Sequence, residues 1–206
     1  SGYESEGTTR TLDLSEALIK QEPGKNYLNE QLGFYNRFYA PSADNEIGVK
    51  MFYRCEPLRE IILPKTTTVI AGYAFDNCTS LAKCTFSPGL TTIRQYAFRN
   101  TKLTNVELPS TLTAMENKVF DGCKELTTVM FTGKNVPPLP DELFPNCPKL
   151  KTIIVPQESL AAYTAALKLP EGVTIEGREG ITAVRSAASA APVEVARFDL
   201  QGRRLA

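Results

Sequence analysis

Residues 70–86 read Ile-Ala-Gly-Tyr-Ala-Phe-Asp-Asn-Cys-Thr-Ser-Leu-Ala-Lys-Cys-Thr-Phe, and the register of this stretch returns along the chain. Its Phe75 belongs to a column with Phe52, Phe98, Phe120 and Phe144, at intervals of 23, 23, 22 and 24 residues. Leu81 belongs with Leu58, Leu103, Leu126 and Leu150, and Cys84 with Ile61, Val106, Val129 and Ile153. Two residues on, Phe86 joins Leu63, Leu108, Phe131 and Val155, while Met51, Ala74, Ala97, Val119 and Leu143 precede each Phe. Five columns holding one period through five units identify an internal repeat, and a period in this range means a solenoid or an array. A unit of 23 residues cannot bury its own apolar face, so the columns become a core only when units stack.

Within a unit, Leu-x-x-Ile-x-Leu places its fourth and sixth positions on one strand face, because side chains alternate. Pro64, Pro109 and Pro156 close three of these runs, as expected of a residue with no ladder donor. A second extended stretch follows at 66–69, 90–93 and 112–115, and Ala-Phe-x-x-Cys reads as one helical or 3₁₀ turn. The third unit lacks one residue between Phe98 and Leu103, which puts Thr101 in the Cys register. A tighter loop and an interrupted Cys column are expected there.

The pattern Ala-Phe-x-x-Cys-x-x-Leu-x-x-Ile-x-Leu-Pro over residues 46–156 resembles the BspA-type leucine-rich repeat of bacterial surface proteins. The fold expected is a strand-rich α/β class, a right-handed leucine-rich-repeat solenoid with a parallel β ladder, short turns and 3₁₀ pieces, and about five full repeats plus caps. The domain reading is an N-terminal cap strand with an aromatic-rich insertion (1–45), five repeats (46–156), a C-terminal cap helix and strand (157–179), and a linker with a short tail (180–206).

Composition narrows the function. The 206 residues carry 23 basic and 23 acidic side chains and no His. Zero net charge argues against nucleic acid, which is met by a basic surplus or stripe. No apolar run reaches the length of a membrane helix, so membrane insertion is not expected. Without His there is no Ser-His-Asp or Cys-His nucleophile and no His-ligated metal. Phosphate-binding, nucleophile-elbow and EF-hand motifs are also missing, and Asp141-Glu142 reads as a solvated loop pair. The sequence therefore points to no catalytic residue, no metal and no cofactor. No secretory signal opens the chain, although a mature chain would have lost one.

The five Cys (55, 78, 84, 123 and 147) contain no C-x-x-C, which speaks against metal or redox chemistry. Stacked rungs would bring Cys55 to Cys78 and Cys123 to Cys147 within disulfide distance, about 4.8 Å. In-register parallel side chains suit the disulfide dihedral poorly, and buried thiols are the preferred reading. The formal glycosylation sequon at Asn77 sits beside a core Cys and is discounted.

Strand residues pointing away from the core define a candidate partner-binding face: Glu60, Ile62, Lys83, Thr85, Asn105, Glu107, Thr128, Met130, Thr152 and Ile154, with Asp13 at its start. Three of these, Ile62, Met130 and Ile154, are expected to be exposed apolar residues, and extended solenoid faces commonly bind partners. The alternative is a solvated sheet face whose β-branched residues serve strand propensity. A second candidate is the aromatic loop, where Tyr27, Phe34, Tyr35, Phe38 and Tyr39 crowd into 13 positions. It either projects toward a partner or glycan, or covers the end of the solenoid core.

Residues 158–167 form an amphipathic helix with Leu160, Tyr163 and Leu167 on one face, resembling the closing helix of such arrays, and 173–175 add a strand. The tail from Val193 reads as strand, Gly turn, strand, and its Asp-Leu-Gln-Gly-Arg-Arg resembles the start of sorting or sandwich modules of secreted proteins. About fourteen residues of such a module are present, as in a cut chain or a vestigial module. The resemblances imply a non-catalytic cell-surface or secreted interaction and adhesion module, with a host matrix or plasma protein as partner. The other reading is a carbohydrate-binding accessory that uses the aromatic loop; a hydrolase is disfavoured.

Overall fold

The computed structural model describes residues 11–19 and 43–180, together with strand positions 197–198 and 204–205. Each repeat forms one turn of a coil with three sides. The first side carries β1 (Thr11–Asp13), β3 (Glu60–Ile62), β5 (Lys83–Thr85), β7 (Asn105–Leu108), β9 (Thr128–Phe131), β10 (Thr152–Pro156) and β11 (Thr174–Arg178). The second carries β2 (Glu46–Ile47), β4 (Val69–Ile70), β6 (Thr92–Ile93) and β8 (Ala114–Met115), which pair in parallel in that order. The expected second extended stretch is thus a ladder of its own.

The third side is the Ala-Phe-x-x-Cys segment, and here the structure corrects the expectation of a helical or 3₁₀ turn. Amides alternate between two kinds of partner. Those of Ala74, Asp76 and Cys78 bond within their unit, to the carbonyls of Ala71, Tyr73 and Phe75. Those of Tyr73, Phe75 and Asn77 bond across to Gln95, Ala97 and Arg99 of the next unit. A helix would turn every amide inward along its own axis. The alternation goes with left-handed residues two before and two after Phe75, Phe98 and Phe120: Tyr73 and Asn77, Tyr96 and Asn100, Lys118 and Gly122. Asn and Gly tolerate that conformation. At Gly122 any side chain would also strike the Asn100 carboxamide, since a Cβ would stand 2.3 Å from its oxygen.

This backbone geometry stacks the Phe column. Ring centroids of Phe52, Phe75, Phe98, Phe120 and Phe144 follow one another at 5.0, 5.0, 5.7 and 5.8 Å, with interplanar angles of 15° or less. All five are buried, alongside the Leu and Ile/Val columns. At the C-terminal end a 3₁₀ turn (Gln157–Ser159) leads into α1 (Leu160–Ala166). Tyr163 from α1 packs 5.1 Å from Phe131 and donates its hydroxyl to the Gly133 carbonyl at 3.0 Å. With Leu167 it covers the end of the core, as its sequence pattern implies. In the tail, β12 (Arg197–Phe198) and β13 (Arg204–Leu205) pair antiparallel, as the strand–turn–strand reading requires.

The shortened third unit leaves its mark on the first side. β1–β3–β5 form one sheet and β7–β9–β10–β11 another; β5 and β7 do not pair. At the preceding junction Ala82 bonds to Arg59 and Leu63 to Thr85, but these bonds have no counterparts between β5 and β7. The second side runs unbroken past the same point through β4, β6 and β8. One missing residue therefore opens a seam on one side of the coil only. In a parallel ladder alternate amides serve each neighbour, so those of Cys84, Phe86, Asn105 and Glu107 face the seam. Hydrogen exchange should find them faster than Val106, Leu108, Thr128 and Met130 in the joined β7–β9 ladder. Equal protection of the two sets would contradict the seam.

Candidate functional site

The outward side chains of the first side fall into two columns running along the coil. One is Thr11, Glu60, Lys83, Asn105, Thr128, Thr152 and Thr174; the other is Asp13, Ile62, Thr85, Glu107, Met130, Ile154 and Glu176. Every face residue read from the sequence lies in one of them. The columns also take in Thr174 and Glu176 of β11, which the sequence reading left out of the face although Thr-Ile-Glu-Gly-Arg continues the alternation.

The seam divides this face into two patches. In the first, Lys83 Nζ lies 2.6 Å from the Glu60 carboxylate, the Thr11 hydroxyl donates to Glu60 at 3.4 Å, and Asp13 accepts the Ser15 amide at 2.9 Å. Its charges are thus already engaged. In the second, Glu107 is exposed and has no ion-pair partner among the described residues. Glu176 sits 3.6 Å from Arg178. Asn105 accepts from Thr127 at 3.2 Å.

The expectation of three exposed apolar residues is corrected. Ile62 and Met130 are half-buried, and Ile154 is buried, 3% exposed. Its register sets Ile154 between the long side chains of Met130 and Glu176, and rungs about 4.8 Å apart leave little of a middle side chain uncovered. The aromatic loop candidates Tyr27, Phe34, Tyr35, Phe38 and Tyr39 lie outside the described residues.

The third side carries an arrangement that sequence reading missed. Tyr73 and Tyr96 stack at 5.1 Å. The Arg99 guanidinium lies 4.8 Å from the Tyr96 ring centre and 5.7 Å from that of Tyr73. The same guanidinium makes two bonds, 2.9 and 2.8 Å, to the buried carboxylate of Asp76, and this raises the Arg99 pKa. Tyr at one register in two successive units was the available signal. Asn77, the formal sequon residue, donates its amide to Asp76 at 2.8 Å, and this side reads as structural.

The Cys column is structural too. All five cysteines are buried free thiols. Cys78, Cys123 and Cys147 donate to the carbonyls of Phe52, Phe98 and Phe120 in the preceding unit, at 2.9, 3.1 and 3.0 Å. Thr101 interrupts the column as expected, its hydroxyl bonding to its own unit's Phe98 carbonyl at 3.0 Å. Burial pushes the thiols up: Cys123 to about 11, Cys147 to about 12, Cys78 and Cys84 well above the ordinary range. No group of His, Cys, Asp or Glu among the described residues could hold a metal, and no described helix is long and apolar enough to cross a membrane.

Parallel ladders, a stacked Phe column and an open strand face define a leucine-rich-repeat solenoid. The model of the BspA type leucine rich repeat region matches six copies over residues 45–168, more than half of the chain. The protein belongs to that family. The matched range runs past the five units counted above and includes α1. No curated protein matches the chain. Among solved structures, the pneumococcal vaccine antigen PcpA is similar at TM-score 0.56 and 19% identity, over 70% of this chain and 42% of that one. A leucine rich cell surface protein from Faecalibacterium prausnitzii is similar at TM-score 0.44 and 20% identity, over 54% and 39%. A leucine-rich repeat protein from Bacteroides ovatus is similar at TM-score 0.39 and 18% identity, over 79% and 46%. The chain thus spans less than half the length of each of these three.

Buried thiols with raised pKa are unreactive, because the thiolate is the nucleophile. Ellman's reagent should find no fast-reacting thiol in the folded protein and five in denaturant; clearly fewer than five would mean disulfides. Their folded pKa values exceed the unfolded ones, so their contribution to stability is complete below about pH 8.5. It is lost as pH rises through the folded values. Denaturation midpoints should therefore fall steadily above about pH 9.

Proposed function

We propose that this chain is a non-catalytic interaction or adhesion module of a cell-surface or secreted bacterial protein, and that the β7–β9–β10–β11 patch of its strand face meets a protein partner. The observation carrying this reading is the contrast between the two patches. In the first, Glu60 is paired with Lys83 and Asp13 accepts a backbone amide, whereas the second leaves Glu107 exposed beside the half-buried Met130, on one continuous four-stranded sheet. Interfaces of this kind centre on a desolvated apolar contact with a polar rim. Family membership and the likeness to a vaccine antigen support residence outside the cytoplasm, and the sorting-module resemblance of the tail agrees with it. The domain division proposed is a repeat body at 46–156 closed by the cap at 157–179.

The test is surface plasmon resonance of the purified chain against a panel of extracellular-matrix and plasma proteins. For any protein bound, Met130→Asp should weaken binding about tenfold or more, some 1.4 kcal/mol, with the circular dichroism spectrum unchanged. Ile62→Asp, across the seam, should have a smaller effect. Binding that ignores Met130→Asp would refute the assignment of this patch.

A further inference from the structure

Resting on the patch proposed above, the chemistry of its partner can be read from the order of side chains along one column. Glu107, Met130, Ile154 and Glu176 follow one another on consecutive rungs of the joined sheet. Two exposed carboxylates therefore bracket an apolar middle, of which Met130 is the accessible part and the buried Ile154 the floor. The carboxylates are three rungs apart, about 14 Å at the ~4.8 Å spacing of paired strands. An extended chain rises about 3.4 Å per residue and shows alternate side chains on one face. Its residues i and i+4 are then also about 14 Å apart, with i+2 between them on the same side.

We propose that this column binds an extended basic–x–apolar–x–basic segment of a partner protein, lying along the solenoid axis. Its two cations meet Glu107 and Glu176, and its central apolar side chain rests against Met130. The neighbouring column offers the Asn105 carboxamide and the Thr128 and Thr152 hydroxyls to the segment's backbone. Lys83 is held by Glu60 across the seam. Arg178 is the cation that already reaches this column, 3.6 Å from Glu176, and it competes with the partner's second cation. The remaining carboxylate of the column, Asp13, lies beyond the seam and is occupied by the Ser15 amide, so it takes no part.

The test uses the full chain flowed over a biosensor surface dense in a Lys-Thr-Leu-Thr-Lys peptide with Gly-Ser flanks, so that weak contacts add through avidity. Expected are binding that weakens with salt, no binding to the Glu-Thr-Leu-Thr-Glu counterpart, and several-fold weaker binding to Lys-Thr-Leu-Lys-Thr, which moves one cation to the opposite face. Glu107→Gln and Glu176→Gln should each lower affinity about threefold, on the scale of an exposed ion pair. Arg178→Ala should raise it, and Asp13→Asn should leave it unchanged. Equal binding of the acidic peptide, or indifference to both Glu→Gln variants, would overturn the inference. If that happened while Met130→Asp still abolished binding to a matrix or plasma protein, the patch would serve a partner of other chemistry. If Met130→Asp were also silent, the patch assignment itself would fall.

Discussion

The structure depends on one constraint: every unit must return its Phe to a position directly behind the Phe of the unit before. Rings 5.0–5.8 Å apart and nearly parallel lie within the range where aromatic pairs attract. No ring is buried by its own unit alone. The backbone enforces this return through the turn side, where alternate amides reach the next unit and left-handed residues flank Phe52, Phe75, Phe98 and Phe120. The Cys column belongs to the same device. A small apolar side chain is needed behind the Phe, and a thiol can also satisfy the Phe carbonyl one unit back.

Cohesion of this kind is local, and its consequences are local as well. Deleting one residue in the third unit does not break the stack, because the second ladder and the turn side carry on through it. It parts only the strand ladder between β5 and β7. That parting divides the open face into two unlike patches. In one patch Glu60 is paired with Lys83 and Asp13 accepts a backbone amide, while the other holds Glu107, with no ion-pair partner among the described residues, and a half-buried Met130. Function in such a fold resides in side chains that the core does not need, so the repeat can hold its register while the face varies.

Much of this was legible in the sequence. Phe52 to Phe144, the Leu and Ile/Val columns and the gap before Leu103 specify the repeat, the strand side and the point of irregularity, because a buried column tolerates few residue types. The closing helix could be read from Leu160, Tyr163 and Leu167 for the same reason. The turn side could not. Tyr73 and Lys118 occupy left-handed positions without being Gly or Asn, so inter-unit hydrogen bonding there overrides local preference. Exposure on the strand face was also only partly legible: alternation assigns Ile154 to the outer face, but its burial follows from which side chains stand on the adjoining rungs. Glu176 was missed because β11 lies past the last regular unit.

The central claim is that units hold one another as nearest neighbours through the Phe stack. Double-mutant cycles on Phe75, Phe98 and Phe120, read by denaturant unfolding, test it most directly. The account predicts coupling of about 0.5–1.5 kcal/mol for Phe75 with Phe98 and for Phe98 with Phe120, and close to none for Phe75 with Phe120. Coupling of equal size for the separated pair, or none for the adjacent pairs, would contradict it.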